Sequence, residues 1–233
     1  MKAILLAAGY GTRLRPITDT TPKCLIPIGR EPLLSIWLEN IVRSSVSEVI
    51  VNTHYLHELV ESHVRNSKFS KYVTISHETN LLGTAGTVIA NRDFIGDDDC
   101  LLIHADNFTN TDLSKLIELH NSRPVVCEMS MLTFRTTTPE SCGIVEIDKD
   151  NIVCEFYEKS SQDHGDLASG AVYALSNQLL RQLKSEKDFS TEVIPHLMGK
   201  ILAVESDGFF VDIGTPASLQ YAEELAREER VRS

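Results

Sequence analysis

Short continuous apolar runs and stretches with helical spacing alternate along the first half of the chain. The short runs predict buried strands, and the periodic stretches predict helices that cover them. In chain order the predicted elements are strand 3–8, helix 33–42, strand 49–53, helix 56–64, strand 73–77, a helix opening at 83–86, strand 100–104 and helix 112–120. This alternation predicts a mostly parallel sheet wrapped by helices with right-handed crossovers.

After Pro124 the strand-like runs lie too close together for crossover helices between them. They predict antiparallel strands at 125–134, 143–147, 152–157 and 168–174. Further elements are predicted as helices 176–183 and 191–198, strands 201–205 and 209–212, and a last helix from Pro216. The predicted fold class is α/β: a Rossmann-like three-layer α/β/α arrangement with a mostly parallel central sheet and additional antiparallel strands in the second half. With no linker between the halves, residues 1–233 are expected to form a single domain.

Composition and charge narrow the classes of function. Hydrophobic residues make up 42% and charged residues 24% of the sequence, which is typical of a globular domain. No run approaches the ~18 apolar residues of a membrane span, and no signal-peptide layout is present, so we expect no membrane partner and a cytoplasmic location. A net charge of -11 without a basic stripe disfavours nucleic acid as a partner.

Cysteine and histidine spacing gives no clear metal site. The five cysteines are odd in number and contain no C-x-x-C pair, so disulfides and a thiolate zinc site are not expected. The spacing of His54 and His57 would place two possible metal ligands near the start of one predicted helix. Because the sequence offers them no third partner, we interpret both as structural.

A glycine loop follows the first predicted strand, at the carboxyl end where α/β sheets bind ligands. Gly9 and Gly11 would let backbone amides approach a polyphosphate, and Arg13 would grip its oxygens. A plain tight turn explains two glycines equally well. The loop matches neither the P-loop nor the dinucleotide fingerprint, which disfavours an ATPase switch or a dinucleotide oxidoreductase. Lys23, held between prolines, can reach back to the same phosphates.

The segments 9–16 (Gly-x-Gly-Thr-Arg-Leu-x-Pro) and 22–27 (Pro-Lys-x-Leu-x-Pro) resemble the signature of the sugar-1-phosphate nucleotidylyltransferases, particularly mannose-1-phosphate guanylyltransferases. Further segments resemble that family in the same order, at 82–86, 105–107, 142–145, 158–159 and 211–216. The resemblance implies a Mg²⁺-dependent transfer of a nucleoside monophosphate from a nucleoside triphosphate (NTP) to a sugar 1-phosphate. Because the attacking phosphate is already ionised, no nucleophile–base pair is needed, and the sequence offers no convincing one.

The resemblance also implies a role for each matching residue. Nucleotide binding is assigned to Leu6, Ala8, Gly9, Gly11, Thr12, Arg13, Lys23, Glu78, Gly83 and Thr84. Catalysis is assigned to Arg13, Lys23 and Asp106, and sugar-phosphate binding to Asn107, Gly143, Glu158, Lys159, Ser169 and Gly170. Residues of about 1–123 would thus form a nucleotide-binding half and about 124–233 a sugar-phosphate-binding half. The expected partners are these two small molecules, and the resemblance allows a homodimer.

Asp106 and Asp212 are assigned to Mg²⁺ by the same resemblance. Each follows an apolar strand, so we expect both carboxylates at the ligand-facing edge of the sheet. Hard oxygen ligands suit Mg²⁺, and without a cation between them the two charges would repel each other. Taken singly, each aspartate would be interpreted as a turn or helix-cap residue.

The identity of the base and of the acceptor is less closely constrained. Glu78 lies five positions before Gly83, and a carboxylate can accept two hydrogen bonds from N1 and N2 of guanine. This favours GTP, with mannose 1-phosphate or a related hexose or heptose phosphate as acceptor. A solvated carboxylate at a strand end is the alternative for Glu78. UTP, dTTP or CTP with another acceptor such as phosphocholine stays open, as does a non-catalytic regulatory paralogue that binds nucleotide sugar.

Overall fold

The helices and strands are taken from a computed structural model that describes residues 1–232, with side chains described up to Glu228. The strands are β1 (Lys2–Leu6), β2 (Pro27–Ile28), β3 (Glu31–Pro32), β4 (Val49–Thr53), β5 (Val73–His77), β6 (Cys100–His104), β7 (Asn107–Thr109), β8 (Met129–Arg135), β9 (Gly143–Ile147), β10 (Val153–Glu158), β11 (Leu167–Leu175), β12 (Ile201–Glu205) and β13 (Phe210–Asp212). The helices are α1 (Leu33–Arg43), α2 (His57–Asn66), α3 (Thr84–Ala90), α4 (Arg92–Ile95), α5 (Leu113–Asn121), α6 (Asn177–Gln182) and α7 (Pro216–Arg232).

Four parallel strands form the centre of the main sheet, in the spatial order β5, β4, β1, β6. Every residue of β4 is buried, as expected for a parallel strand covered on both faces. Because the four strands run in the same direction, their last residues lie along one edge of the sheet. These residues are Leu6, Thr53, His77 and His104.

The second half of the chain extends the same sheet. β11 pairs antiparallel with β6, β8 and β9, and β10 follows β9 at the edge. The register of β11 against β8 shifts between Ser169 and Tyr173, where Ala171 has a φ of 53°. Such a bulge bends a strand, and here it lets β11 meet different neighbours along its length. β12 pairs parallel with β8, an orientation that the sequence pattern did not predict.

Helices cover both faces of this sheet. On one face Trp37 of α1, Leu116 of α5 and Ala222 of α7 belong to one buried cluster with the strands. On the other face Val88 of α3 and Leu179 of α6 belong to a second buried cluster. The predicted three-layer α/β/α class with a mostly parallel centre is therefore confirmed. In the described part of the chain, no helix combines the length and the apolar character needed to cross a bilayer.

Two predicted elements were wrong. The predicted strand 125–134 begins only with β8, because the N–H of Cys127 donates to the carbonyl of Pro124 (2.8 Å) and closes a turn before it. The predicted helix 191–198 is replaced by a π turn followed by a 3₁₀ turn. Pro195 lies at the start of the 3₁₀ turn and has no N–H to donate into a continuous helix.

Candidate active site

The glycine loop lies at the carboxyl end of β1, as the sequence predicted. Gly11 has a φ of 63°, and a Cβ atom there would lie 2.8 Å from Cγ2 of Thr18 and 3.2 Å from Cβ of Lys23. Only glycine therefore fits this close, left-handed position. Thr18 donates from its hydroxyl to the carbonyl of Gly11 (2.8 Å), which holds the end of the loop over Lys23.

A small two-stranded sheet brings the two aspartates together. β7 and β13 pair antiparallel with Asn107 opposite Asp212, so Asp106, just before β7, lies beside Asp212. The Nζ of Lys23 lies 2.9 Å from Oδ2 of Asp106 and 3.0 Å from Oδ1 of Asp212. Arg13 approaches the same cluster, with Nη2 3.4 Å from Oδ2 of Asp212. Residues from three distant parts of the sequence thus form one cluster of charges.

The charges in this cluster offset one another. Burial raises the pKa of Asp106, but the neighbouring Lys23 ammonium and His104 outweigh it, so this pKa lies below its ordinary value. The repulsion expected between Asp106 and Asp212 is offset by Lys23, a contact that sequence reasoning did not predict. Both carboxylates stay partly exposed, with side-chain exposures of 42% and 49%, so they remain open to a ligand.

A cleft of about 240 Å³ opens beside this cluster. Of the predicted nucleotide-binding and catalytic residues, it is lined by Leu6, Ala8, Gly9, Lys23, Glu78, Gly83, Thr84 and Asp106. Gly83, just before α3, has a φ of 82°, and a Cβ atom there would lie 2.3 Å from the carbonyl oxygen of Lys187. This position therefore requires glycine, so that α3 can begin close against the 187 backbone.

Glu78 lines this cleft and is only 5% exposed, so the alternative of a solvated carboxylate was wrong. Its Oε1 accepts hydrogen bonds from Nδ2 of Asn52 (2.9 Å) and from the hydroxyl of Thr87 (2.5 Å). Its Oε2 accepts the N–H of Leu82 (3.1 Å). A carboxylate offers about four acceptor sites, so one position on Oε2 remains for a ligand.

His104 ends β6 and also lines the cleft. Burial lowers the pKa of its imidazole, while the carboxylates of Asp106, Asp188 and Glu158 oppose that shift. Its Nε2 is buried and has no hydrogen-bond partner among the described residues. An unpaired buried nitrogen is costly, so a ligand that supplied a partner would gain free energy here.

Two of the predicted sugar-phosphate residues, Glu158 and Lys159, lie where β10 ends and the loop to β11 begins. Glu158 ends β10 opposite Gly143, and a Cβ atom on Gly143 would lie 3.0 Å from Oε2 of Glu158. The Nζ of Lys159 lies 3.4 Å from Oε1 of Glu158, and 67% of the Lys159 side chain is exposed. The three residues therefore lie together, with an available cation at the surface.

The remaining predicted sugar-phosphate residues lie at the bulge of β11. Nδ2 of Asn107 donates to the carbonyl of Gly170 (3.3 Å), which connects the bulge to the strand after Asp106. The hydroxyl of Ser169 lies 3.1 Å from that of Tyr173. A Cβ atom on Gly170 would lie 3.1 Å from the ring of Phe210, so a glycine lets β13 pack closely against the bulge.

Comparison with known proteins places this arrangement in a family. A family model described as nucleotidyl transferase matches residues 2–229. The chain belongs to the nucleotidyl transferase family. The resemblance found in the sequence motifs is thereby confirmed for nearly the whole chain.

Relatives of this nucleotidyl transferase include enzymes named for two sugar phosphates. Mannose-1-phosphate guanylyltransferase catalytic subunit beta of Danio rerio is 29% identical over 93% of this chain and 62% of its own length. D-glycero-alpha-D-manno-heptose 1-phosphate guanylyltransferase of Campylobacter jejuni is 29% identical over 93% of this chain and 96% of its own length. The chain spans only about three fifths of the length of several curated relatives.

A solved structure supports the fold of this nucleotidyl transferase. A Bacillus anthracis protein, provisionally named a glucose-1-phosphate thymidylyltransferase and crystallised with sucrose, has a TM-score of 0.87 and 26% identity. The match covers 98% of this chain and 96% of that protein. Relatives of the same fold are therefore named for more than one base.

The cleft residues of this nucleotidyl transferase that sequence reasoning missed include Asn52 and His104. Asn52 accepts the N–H of Ala7 through Oδ1 (2.7 Å) while donating to Glu78, and so connects the glycine loop to that carboxylate. A signal was available, because Asn52 is a polar residue that directly follows three apolar residues in the buried strand β4. His104 likewise is a polar residue at the end of an apolar strand.

Proposed function

We propose that this chain transfers a nucleoside monophosphate from an NTP to a sugar 1-phosphate and releases pyrophosphate. The observation that carries the proposal is the position of Lys23 between Asp106 and Asp212, at the mouth of a cleft bordered by the glycine loop. A triphosphate lying along the loop would present its α-phosphate to this ammonium and to the two carboxylates. Family membership supports the reaction class.

In the proposed reaction, an oxygen of the sugar phosphate forms a bond to the α-phosphorus of the NTP. The bond from that phosphorus to the oxygen shared with the β-phosphate breaks, and pyrophosphate leaves with the electron pair. Arg13 and the loop amides bind the leaving phosphates, and the third donor of the Lys23 ammonium remains for an α-phosphate oxygen. Lys159 would hold the incoming phosphate, so that catalysis rests on positioning and charge neutralisation.

Magnesium is the proposed cofactor, and the donor set fits it. Asp106 and Asp212 converge closely enough to share one ammonium, and both offer hard oxygen atoms that stay partly exposed. When bound there, Mg²⁺ would supply charge stabilisation to the phosphates. Asp106 and Asp212 would hold the ion beside Lys23, and the Lys23 ammonium would stay in the site when the ion is bound.

GTP is the proposed nucleotide. The carboxylate of Glu78 lies in the cleft with one acceptor position free on Oε2, which suits one N–H donor of guanine. The two-bond contact predicted from sequence would require Oε1 to give up a bond from Asn52 or Thr87. The names of the guanylyltransferase relatives support GTP with mannose 1-phosphate or a related hexose or heptose phosphate.

The alternatives are the same reaction with UTP, dTTP or CTP, and a regulatory paralogue without catalysis. The thymidylyltransferase name of the Bacillus anthracis structure supports the first. The second has less support, because binding alone does not require Arg13, Lys23 and both aspartates to converge. The division into nucleotide-binding and sugar-phosphate-binding halves, the homodimer and the cytoplasmic location stay predictions.

The decisive experiment is a matrix of pyrophosphate release. Purified protein with Mg²⁺ is mixed with each of GTP, UTP, dTTP and CTP against mannose, glucose and heptose 1-phosphates and phosphocholine. We expect release to be fastest with GTP and mannose or heptose 1-phosphate, and to be slower by ~10²–10⁴ in the Asp106→Asn variant. Faster release with another base would overturn the nucleotide, and no release in any well, with nucleotide sugar still bound, would establish the regulatory alternative.

A further inference from the structure

A second group of metal-binding side chains lies outside the catalytic cluster, where α2 meets β5. One ligand atom each of His57, Glu61 and His77 lies within 4.8 Å of the other two. We propose that these three residues form a binding site for a divalent transition metal, with Zn²⁺ as the best fit. Sequence reasoning had interpreted His57 as structural because it saw no third ligand, and the fold supplies two.

The three side chains come from two elements that the fold holds together. His57 begins α2 and Glu61 follows one turn later, so they lie on the same face of the helix. His77 is the last residue of β5, and its ring centroid lies 4.1 Å from that of His57. Nδ1 of His57 already lies 2.8 Å from Oε1 of Glu61.

The donor set matches the preference of zinc. Two imidazole nitrogens and one carboxylate oxygen are a known ligand set for Zn²⁺, with bonds of about 2.0–2.2 Å. In a tetrahedral site, bonds of that length put neighbouring ligand atoms about 3.4 Å apart. The present separations require side-chain shifts of about 1 Å, which partly exposed side chains make readily. Three protein ligands leave a fourth position for water.

The ordinary interpretation is a helical hydrogen bond between His57 and Glu61 with an imidazole stacked on it. That pair alone would explain one contact, since such pairs are common at this spacing. It does not explain why a second imidazole from another element approaches the same point. A metal ion bound by both rings and by the Glu61 carboxylate would account for the convergence of all three side chains.

The proposed zinc site lies next to a residue of the nucleotide cleft. His77 directly precedes Glu78, and the carbonyl of Glu78 lies 2.7 Å from Nδ1 of His54. A metal ion bound to His57 and His77 would therefore connect α2 to β5 beside the cleft residue Glu78. We expect binding to stabilise this part of the fold, because a ligand that binds only the folded state raises its stability.

The test uses the full chain after treatment with EDTA and dialysis. To remove competing thiols, it carries Cys142→Ser and Cys154→Ser, since these two cysteines are partly or fully exposed. Titration calorimetry with ZnCl₂, visible spectra with CoCl₂, and thermal melts with and without ZnCl₂ are compared. We expect one tight equivalent, a tetrahedral Co²⁺ spectrum and a higher Tm with zinc.

Variants then separate this site from the catalytic cluster. His57→Ala, His77→Ala and Glu61→Gln should each weaken zinc binding by about tenfold or more. His196→Ala, which removes an exposed histidine elsewhere, and Asp212→Asn should leave that zinc affinity unchanged. Glu61→Gln preserves shape, so it keeps the test valid if a histidine variant fails to fold.

Three results would overturn the site. The first is the absence of a tight zinc equivalent in the parent protein. The second is retention of wild-type zinc affinity in a folded Glu61→Gln or His77→Ala variant. The third is loss of zinc affinity in Asp212→Asn, which would assign the metal to the carboxylates of the proposed active site. None of these outcomes depends on the proposed nucleotide transfer.

Discussion

Gly214 lies directly against the guanidinium of Arg13: a Cβ atom built on Gly214 would be 2.5 Å from Nη2 of Arg13. The same atom would lie 2.8 Å from Oδ2 of Asp212, which Arg13 contacts at 3.4 Å. The glycine after β13 therefore allows the cation and the carboxylate to approach each other. This relationship joins the first loop of the chain to a segment about 200 residues later.

Gly214→Ala should reduce kcat/KM by up to about 10²-fold, because a methyl group would displace Arg13 and Asp212 by about 1 Å. The melting temperature should change little, since the Arg13 side chain is 65% exposed and free to move. Steady-state kinetics and a thermal melt measure both effects. In an Arg13→Ala background the same substitution should cost less, and full additivity would show that Gly214 does not act through Arg13.

Asp106→Asn and Asp212→Asn should each lower kcat by ~10²–10⁴, the range expected when charge stabilisation by a metal is lost. Folding should be little affected, because in each variant the Lys23 ammonium keeps the other aspartate as its partner. The measurement is kcat at saturating Mg²⁺ alongside a melt in EDTA. Near wild-type turnover in folded Asp212→Asn would eliminate that residue as a ligand.

Lys159→Ala should raise KM for the sugar phosphate by about tenfold and leave KM for the nucleotide nearly unchanged. The reason is that its exposed ammonium lies beside Glu158, another residue of the predicted sugar-phosphate site. Lys149→Ala, which removes an exposed lysine from the turn between β9 and β10, is the matched control. A rise confined to the nucleotide KM would assign Lys159 to the other substrate.

The cysteines should differ in reactivity toward a thiol reagent at pH 8. Burial raises the pKa of Cys24 and of Cys100 to about 12, so at pH 8 both remain protonated and unreactive. Burial also raises the pKa of Cys127. We expect Cys142 and Cys154 to react in the native protein and all five after unfolding. Cys24 also lines the cleft, so rapid reaction of its thiol in the native state would show that the cleft opens around it.

Much of the fold follows from local patterns along the chain. The boundaries predicted for β4, β5, β6, β9 and β12 agree with the structure, because apolar runs between turn signals are a property of neighbouring residues. The helix predicted at 191–198 was wrong because the prediction followed the apolar spacing and gave too little weight to Pro195, which interrupts a helix. The 125–134 prediction was wrong at its start because Val125 and Val126 are exposed in a turn despite their strand propensity.

The sequence by itself determined the chemistry available: a glycine loop after β1, cations at Arg13 and Lys23, and carboxylates at strand ends. Only the tertiary structure decided which of them meet. Pairing of β7 with β13 brings Asp212 to Lys23, and the packing of α2 against β5 brings His57 to His77. The physical reason is that strand pairing and helix packing depend on the burial of the whole core, whereas the pattern of one segment specifies only its own faces.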